Sequence, residues 1–174
     1  MNNKTVWVAA FLIFTSPGSS LAAEGSMQEA KKYIEGAYTL EEWHAGEEIF
    51  RPPVVDGRLF FRDGVVATML KNWSKADSKV SGGTYGRYWF DSSGFSYRYE
   101  DATIVTETPS EPKVSHKLLF DGTRSFTVTR VPDGIRLHRA EGNIEFVFTR
   151  DLLTYSENGK VLRVWRRIKS DKQS

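Results

Sequence analysis

Four of the chain's Asx-Gly dipeptides, Asp63-Gly64, Asp121-Gly122, Asp133-Gly134 and Asn158-Gly159, stand beside short apolar runs as turn candidates. Such pairs accept the positive φ angles of tight hairpin turns, so each reads as a reversal between neighbouring strands. Leu59-Phe60-Phe61 and Val65-Val66-Ala67 flank the first, and Leu118-Leu119-Phe120 precedes the second. Val128-Thr129-Arg130-Val131 and Ile135-Arg136-Leu137 flank the third, and the fourth precedes the last strand. No helix-length segment separates these runs, which excludes parallel βαβ units and makes consecutive antiparallel hairpins the natural topology. The spacing predicts strands over 37–44, 57–62, 65–71, 84–91, 94–100, 103–107, 114–120, 125–131, 135–139, 143–149 and 160–168. One short helix is expected over 27–34, capped by Ser26 and ended by Gly36.

The fold class is therefore all-β, and so many short strands must hide their edges by closing into a barrel or stacking as two sheets. Alternation puts Ile144, Phe146 and Phe148 on one face. On the final strand it groups Leu162, Val164 and Ile168 with Arg166, an odd core position. The Gly- and Ser-rich stretch 71–83 reads as a mobile loop, and 108–113, with two prolines, as a second loop.

The N-terminus carries a separate signal. Lys4 precedes the apolar run Val6-Trp7-Val8-Ala9-Ala10-Phe11-Leu12-Ile13-Phe14, and Ser20 and Ala22 offer the small side chains a signal peptidase requires. Residues 1–22 are expected to be a cleaved signal peptide, with cleavage after Ala23 as second choice, and no Cys lies there to carry a lipid anchor. Residues 23–35 form an N-terminal segment with the helix, 36–168 the β domain and 169–174 a tail. The expected localisation is periplasmic or secreted. Of the formal charge of +2, cleavage removes Lys4 and leaves +1, so neither nucleic acid nor an anionic membrane is indicated as a partner. The chain has no cysteine, which excludes thiol chemistry and disulfides, so the domain rests on its core alone.

Gly36-Ala37-Tyr38-Thr39-Leu40-Glu41-Glu42-Trp43 is followed by Gly57-Arg58-Leu59-Phe60-Phe61-Arg62-Asp63-Gly64 and then Val65-Val66-Ala67-Thr68-Met69-Leu70. With Tyr85-Gly86-Arg87-Tyr88 and the closing Leu162-Arg163-Val164-Trp165-Arg166-Arg167-Ile168, this order resembles the bacterial lipocalin-like domain family, of calycin type. The resemblance implies a closed antiparallel up-and-down β-barrel of about 8–10 strands with an interior cavity. It also implies a structural closure in which an Arg of the last strand lies over the aromatic residue of the first. Tyr38 holds the aromatic position, where the family has Trp, and Arg166 (or Arg167) the Arg position, with cation–π attraction as the physical warrant.

The search for chemistry returns little. His44, His116 and His138 lack metal-ligand spacing, no Ser sits in a nucleophile elbow, and Gly82-Gly83-Thr84-Tyr85-Gly86 lacks the Lys of a phosphate loop. Neither a metal nor a cofactor is expected, and no catalytic residue is assigned. An aromatic supply remains on two adjacent strands: Tyr85, Tyr88, Trp89 and Phe90, then Phe95, Tyr97 and Tyr99. Core packing accounts for most of these, and a cavity lining is the functional reading of the rest. The expected ligand-binding set is Tyr85, Arg87, Trp89, Tyr97, Tyr99 and His116, with Arg87 inward or outward by the strand period alone. The expected function is an exported barrel that binds a small hydrophobic or amphipathic molecule. The alternatives are an isomerase- or cyclase-type enzyme using His116 or Tyr97 as acid/base, and a packed barrel serving protein interaction.

Overall fold

A computed structural model describes residues 27–169. The expected signal peptide, its cleavage site and the Ser26 cap lie outside these residues. Within them, helix α1 (27–34) is followed by twelve strands. These are β1 (Gly36–Ala45), β2 (Glu48–Phe50), β3 (Val55–Arg62), β4 (Val65–Lys75), β5 (Ser78–Asp91) and β6 (Gly94–Glu107). Then come β7 (Lys113–Ser115), β8 (Arg124–Val131), β9 (Gly134–Arg139), β10 (Ile144–Thr149), β11 (Leu152–Glu157) and β12 (Lys160–Arg167).

Ten of the strands close into an antiparallel barrel, because β12 pairs with both β11 and β1. Closure removes the sheet edges that so many strands would otherwise expose. β2 adds to β1, and β7 adds to the upper part of β6, outside the closed ring. The Asp63-Gly64 and Asn158-Gly159 turns have positive φ at both residues, 51° and 79°, then 50° and 73°, as a tight hairpin with right-handed twist demands. At the third turn the reversal is made by Pro132-Asp133, and Gly134 already belongs to β9. A side chain there would run into the Phe148 carbonyl of β10.

Several expectations need correction. Residues 71–83 are not a loop but the two arms of a long β4–β5 hairpin. Gly82 belongs in that sheet because a Cβ there would come 2.6 Å from the Thr103 carbonyl of β6. Residues 94–107 form one strand where two were expected, and β2 and β11 were not anticipated. The expected strand 114–120 shrinks to β7, and 116–123 runs as irregular chain. There Phe120 leaves strand alternation to pack on Tyr97 and Tyr99, with ring centroids 5.6 and 5.3 Å apart.

Helix α1 plugs one end of the barrel. Ala30 and Ile34, one turn apart on the same helix face, are fully buried in the core. Beneath them a chain of edge-to-face rings fills the interior: Phe61 meets Tyr88 at 5.6 Å and Phe148 at 5.9 Å, and Phe148 meets Tyr38 at 6.0 Å. Rings in this arrangement add specific attraction to the burial of their area.

The closure motif stands at the same end, with one residue exchanged. Arg167, not Arg166, lies over the Tyr38 ring, 4.8 Å from its centroid. The Tyr38 hydroxyl lies 2.9 Å from the carbonyls of Tyr33 and Ile34 and donates to them, while it accepts from Arg167 at 2.5 Å. Arg167 donates further to the Glu35 carbonyl at 2.6 Å and to the Tyr33 carbonyl. These are carbonyls that the end of α1 leaves without helical partners, and a cation there also suits the helix dipole. Arg166 points outward and pairs with Glu41 on the surface. The expected face of β12 is therefore inverted: Arg163, Trp165 and Arg167 point inward, and Leu162, Val164, Arg166 and Ile168 outward. Trp165, only 4% exposed, fixes that parity, since its neighbours must then face the other way.

Candidate functional site: the barrel cavity

Away from α1 the interior is not filled. A cavity of ≈ 280 Å³ runs among residues of nearly every barrel strand and the 116–123 segment. Its apolar wall includes Leu59, Phe61, Phe95, Phe146 and Phe148. Its polar groups are Thr68, Tyr97, Tyr99, Arg124, Tyr155, Glu157 and Arg163.

Register explains why these groups meet. Trp43 on β1, Arg163 on β12, Tyr155 on β11, Phe146 on β10, Leu137 on β9 and Val128 on β8 pair in succession, forming one row across the barrel. The Arg163 guanidinium stacks 3.2 Å from the Trp43 centroid, and the Tyr155 ring stacks on Phe146 at 4.9 Å. A second cluster stands across the cavity. Tyr97 stacks on Phe126 at 5.8 Å, and Arg124 lies 3.7 Å over the Phe120 ring.

The barrel wall is thinnest beside this second cluster. β6 and β8 share only three register pairs, Phe95 with Phe126, Ser96 with Ser125 and Tyr97 with Arg124. Above them β6 turns to β7 for its hydrogen bonds. The 116–123 segment spans the gap, with Leu119 and Phe120 reaching the cavity.

Electrostatics sets the two arginines apart from the rest of the lining. Burial brings the Arg163 guanidinium down to about 10, against the opposing pull of Tyr155 and Glu157. Among the described residues, no carboxylate lies within salt-bridge distance of Arg124 or Arg163, whereas Arg166, Arg58 and Arg130 each have one. Arg163 donates to the carbonyl of its neighbour Leu162 at 2.6 Å. Glu157 accepts from the Tyr155 hydroxyl instead. Burial is the main force that holds the Tyr97 phenol well above its usual range, with Tyr99 adding to the effect and Arg124 opposing it. Tyr155 is raised likewise, first by burial and then by its hydrogen bond to Glu157. Both phenols therefore keep their protons at neutral pH and remain donors.

Of the expected ligand-binding residues, only Tyr97 and Tyr99 line the cavity, with the Tyr99 hydroxyl 3.3 Å from that of Thr68. Tyr85 faces out and is 52% exposed. Arg87 also faces out, pairing with Glu100 on the surface with its side chain 70% exposed. Trp89 lies between Tyr88 and Phe90, both packed in the interior, so it faces out as well. His116 is exposed on the irregular segment, 3.3 Å from the Thr103 hydroxyl, which removes it as an acid/base inside the barrel. The three histidines stand apart, and no group of three or more His, Cys, Asp or Glu side chains gathers at one place among the described residues. Arg124, Tyr155, Glu157 and Arg163 were missed. Glu157 and Tyr155 lie on a strand that carried no expectation, and Arg163 on the face of β12 taken as outward. The signal that could have found them is the Tyr155-x-Glu157 and Arg163-x-Trp165 alternation on either side of Asn158-Gly159.

No family model matches the chain, and no curated protein or solved structure matches it. No helix among the described residues is long and apolar enough to cross a membrane.

Proposed function

We propose that this protein is a binding barrel of lipocalin-like type that holds a small hydrophobic or amphipathic molecule in its interior after export. The single observation that carries the reading is the aromatic-lined cavity beside a fully packed, helix-plugged end. Well-packed interiors keep few voids larger than a water molecule, so ≈ 280 Å³ of unfilled, mostly apolar space calls for an occupant. The same space speaks against a barrel filled solely for protein interaction. The basic start and apolar run of residues 1–22 support export, and with it a ligand met outside the cytoplasm.

A direct test is displacement of a fluorescent apolar probe from the purified mature chain, read together with native mass spectrometry. Binding at one site per barrel, weakened when Phe146→Arg fills the cavity, is the expected result. A wild-type barrel that takes up no member of an apolar panel overturns the reading.

One observation favours a second, catalytic use of the same space. Tyr97 presents a phenol hydroxyl to the cavity with the Arg124 cation as its register partner, a donor and a cation that would stabilise negative charge developing on an isomerase or cyclase substrate. Turnover of a bound substrate that Tyr97→Phe abolishes without loss of binding is the result that would replace the binding reading with this one.

A further inference from the structure

The cavity holds an imbalance of charge, and it specifies the ligand more closely than apolar volume does. Two arginines, Arg124 and Arg163, and one carboxylate, Glu157, line it. The Glu157 carboxylate accepts from Tyr155, and no described carboxylate approaches either guanidinium within salt-bridge distance. Instead each cation rests on an aromatic face, Arg163 on Trp43 and Arg124 on Phe120. A ring face offsets only part of the cost of taking a guanidinium out of water. Arg124, Arg163 and Tyr155 all line this one cavity.

We infer that the site takes a monoanionic amphipath, with a carboxylate-type head between Arg163 and Arg124 and an apolar body along Phe146, Tyr97 and Phe95. This rests on the binding reading above. The charge sum of the lining is two positive less one negative, so one negative charge balances it and two would overshoot. The planar fork of each guanidinium suits a two-oxygen head. Length follows from volume. A cavity of ≈ 280 Å³ stands at the small end of the range of pockets that hold small molecules, about 300–1,000 Å³, which favours a medium-chain or single-ring acid. The thin wall between β6 and β8, covered by Leu119 and Phe120, gives the way in, and Arg124 on Phe120 stands at that opening.

The test compares octanoate, 1-octanol and octyl phosphate by calorimetry on the mature chain, in the wild type and in Arg163→Gln and Arg124→Gln. The inference expects octanoate to bind at least tenfold tighter than 1-octanol. It also expects that preference to shrink to less than threefold in either variant while 1-octanol binds unchanged. If octanoate and octanol bind the wild type equally, the headgroup assignment falls and the binding reading survives. Tighter binding of octyl phosphate overturns the monoanion in favour of a dianion. If none of the three binds, and apolar probes also fail, the binding reading itself is lost. The wild-type comparison stands whether or not the variants fold.

Discussion

Two arginines of β12 lie over aromatic rings of β1, Arg167 over Tyr38 at the helix-plugged end and Arg163 over Trp43 in the cavity. Their surroundings differ in one respect. Arg167 spends its donors on the carbonyls of Tyr33 and Glu35 and on the Tyr38 hydroxyl, so the fold itself supplies its partners. Arg163 has the carbonyl of its own neighbour and a ring, and burial weighs against its charge. A satisfied buried arginine stabilises the fold, whereas an unsatisfied one costs stability unless something else completes it. The plugged end is thus satisfied by the fold itself, and the cavity end carries a guanidinium for which the fold supplies only a ring and one neighbouring carbonyl.

The sharpest way to break this comparison is to exchange the arginines' fates. Arg167→Met strands carbonyls at the end of α1 and is expected to cost about 3 kcal/mol in urea unfolding, by the price of unpaired buried polar groups. Gly36→Ala acts on the same contact, since its methyl would meet the Arg167 guanidinium, and should also lower the melting temperature. Arg163→Met is expected to leave the melting temperature unchanged or higher, because it removes a poorly solvated charge. A large drop there would show Arg163 to be a second structural closure.

Alkaline titration sharpens the contrast along the barrel. Burial raises the phenols of Tyr38, Tyr88, Tyr97 and Tyr155 above the usual 10. Their folded pKa exceeds the unfolded one, so the stability they lend is complete below about pH 10 and is lost as pH rises toward the folded values. Tyrosinate absorbance should therefore show four of the seven tyrosines ionising only as the barrel unfolds. A smooth titration of all seven below that transition would contradict the packed interior.

Phe120→Ala should have a smaller effect on stability, about 1 kcal/mol from lost ring contacts. It should also speed entry and release of a bound probe in stopped-flow fluorescence, with Leu119 left alone at the gap. Least of all is expected from Arg166→Gln. Its partner Glu41 is a surface group, so the melting temperature should not move, and high salt should have the same negligible effect.

Much of the wall was legible in the chain. Asp63-Gly64 and Asn158-Gly159 announced their hairpins, Ile144, Phe146 and Phe148 announced an inward face, and α1 was read with its limits among the described residues. The candidate site was far less so. Tyr97 and Tyr99 were found, yet Tyr85, Arg87 and Trp89 were drawn from the same aromatic supply and lie on the outer face. Their strand has two faces of comparable apolarity, Tyr85, Arg87 and Trp89 against Tyr88 and Phe90, so local pattern offered no reason to prefer one.

What the sequence alone determined is the set of local decisions: antiparallel strands, where most of them reverse, and the absence of cysteine support. What only the tertiary structure decided is which side of each strand is inside. Closure of β12 onto β1 sets that parity, and irregularities between Leu40 and Glu42, Tyr85 and Gly86, and Tyr155 and Ser156 reset it along the way. One extra residue in a strand turns every later side chain to the other face. That is why Arg163 and Tyr155 stand side by side on the inner wall, and why Arg167 sits on Tyr38 while Arg166, its neighbour in the chain, lies in water.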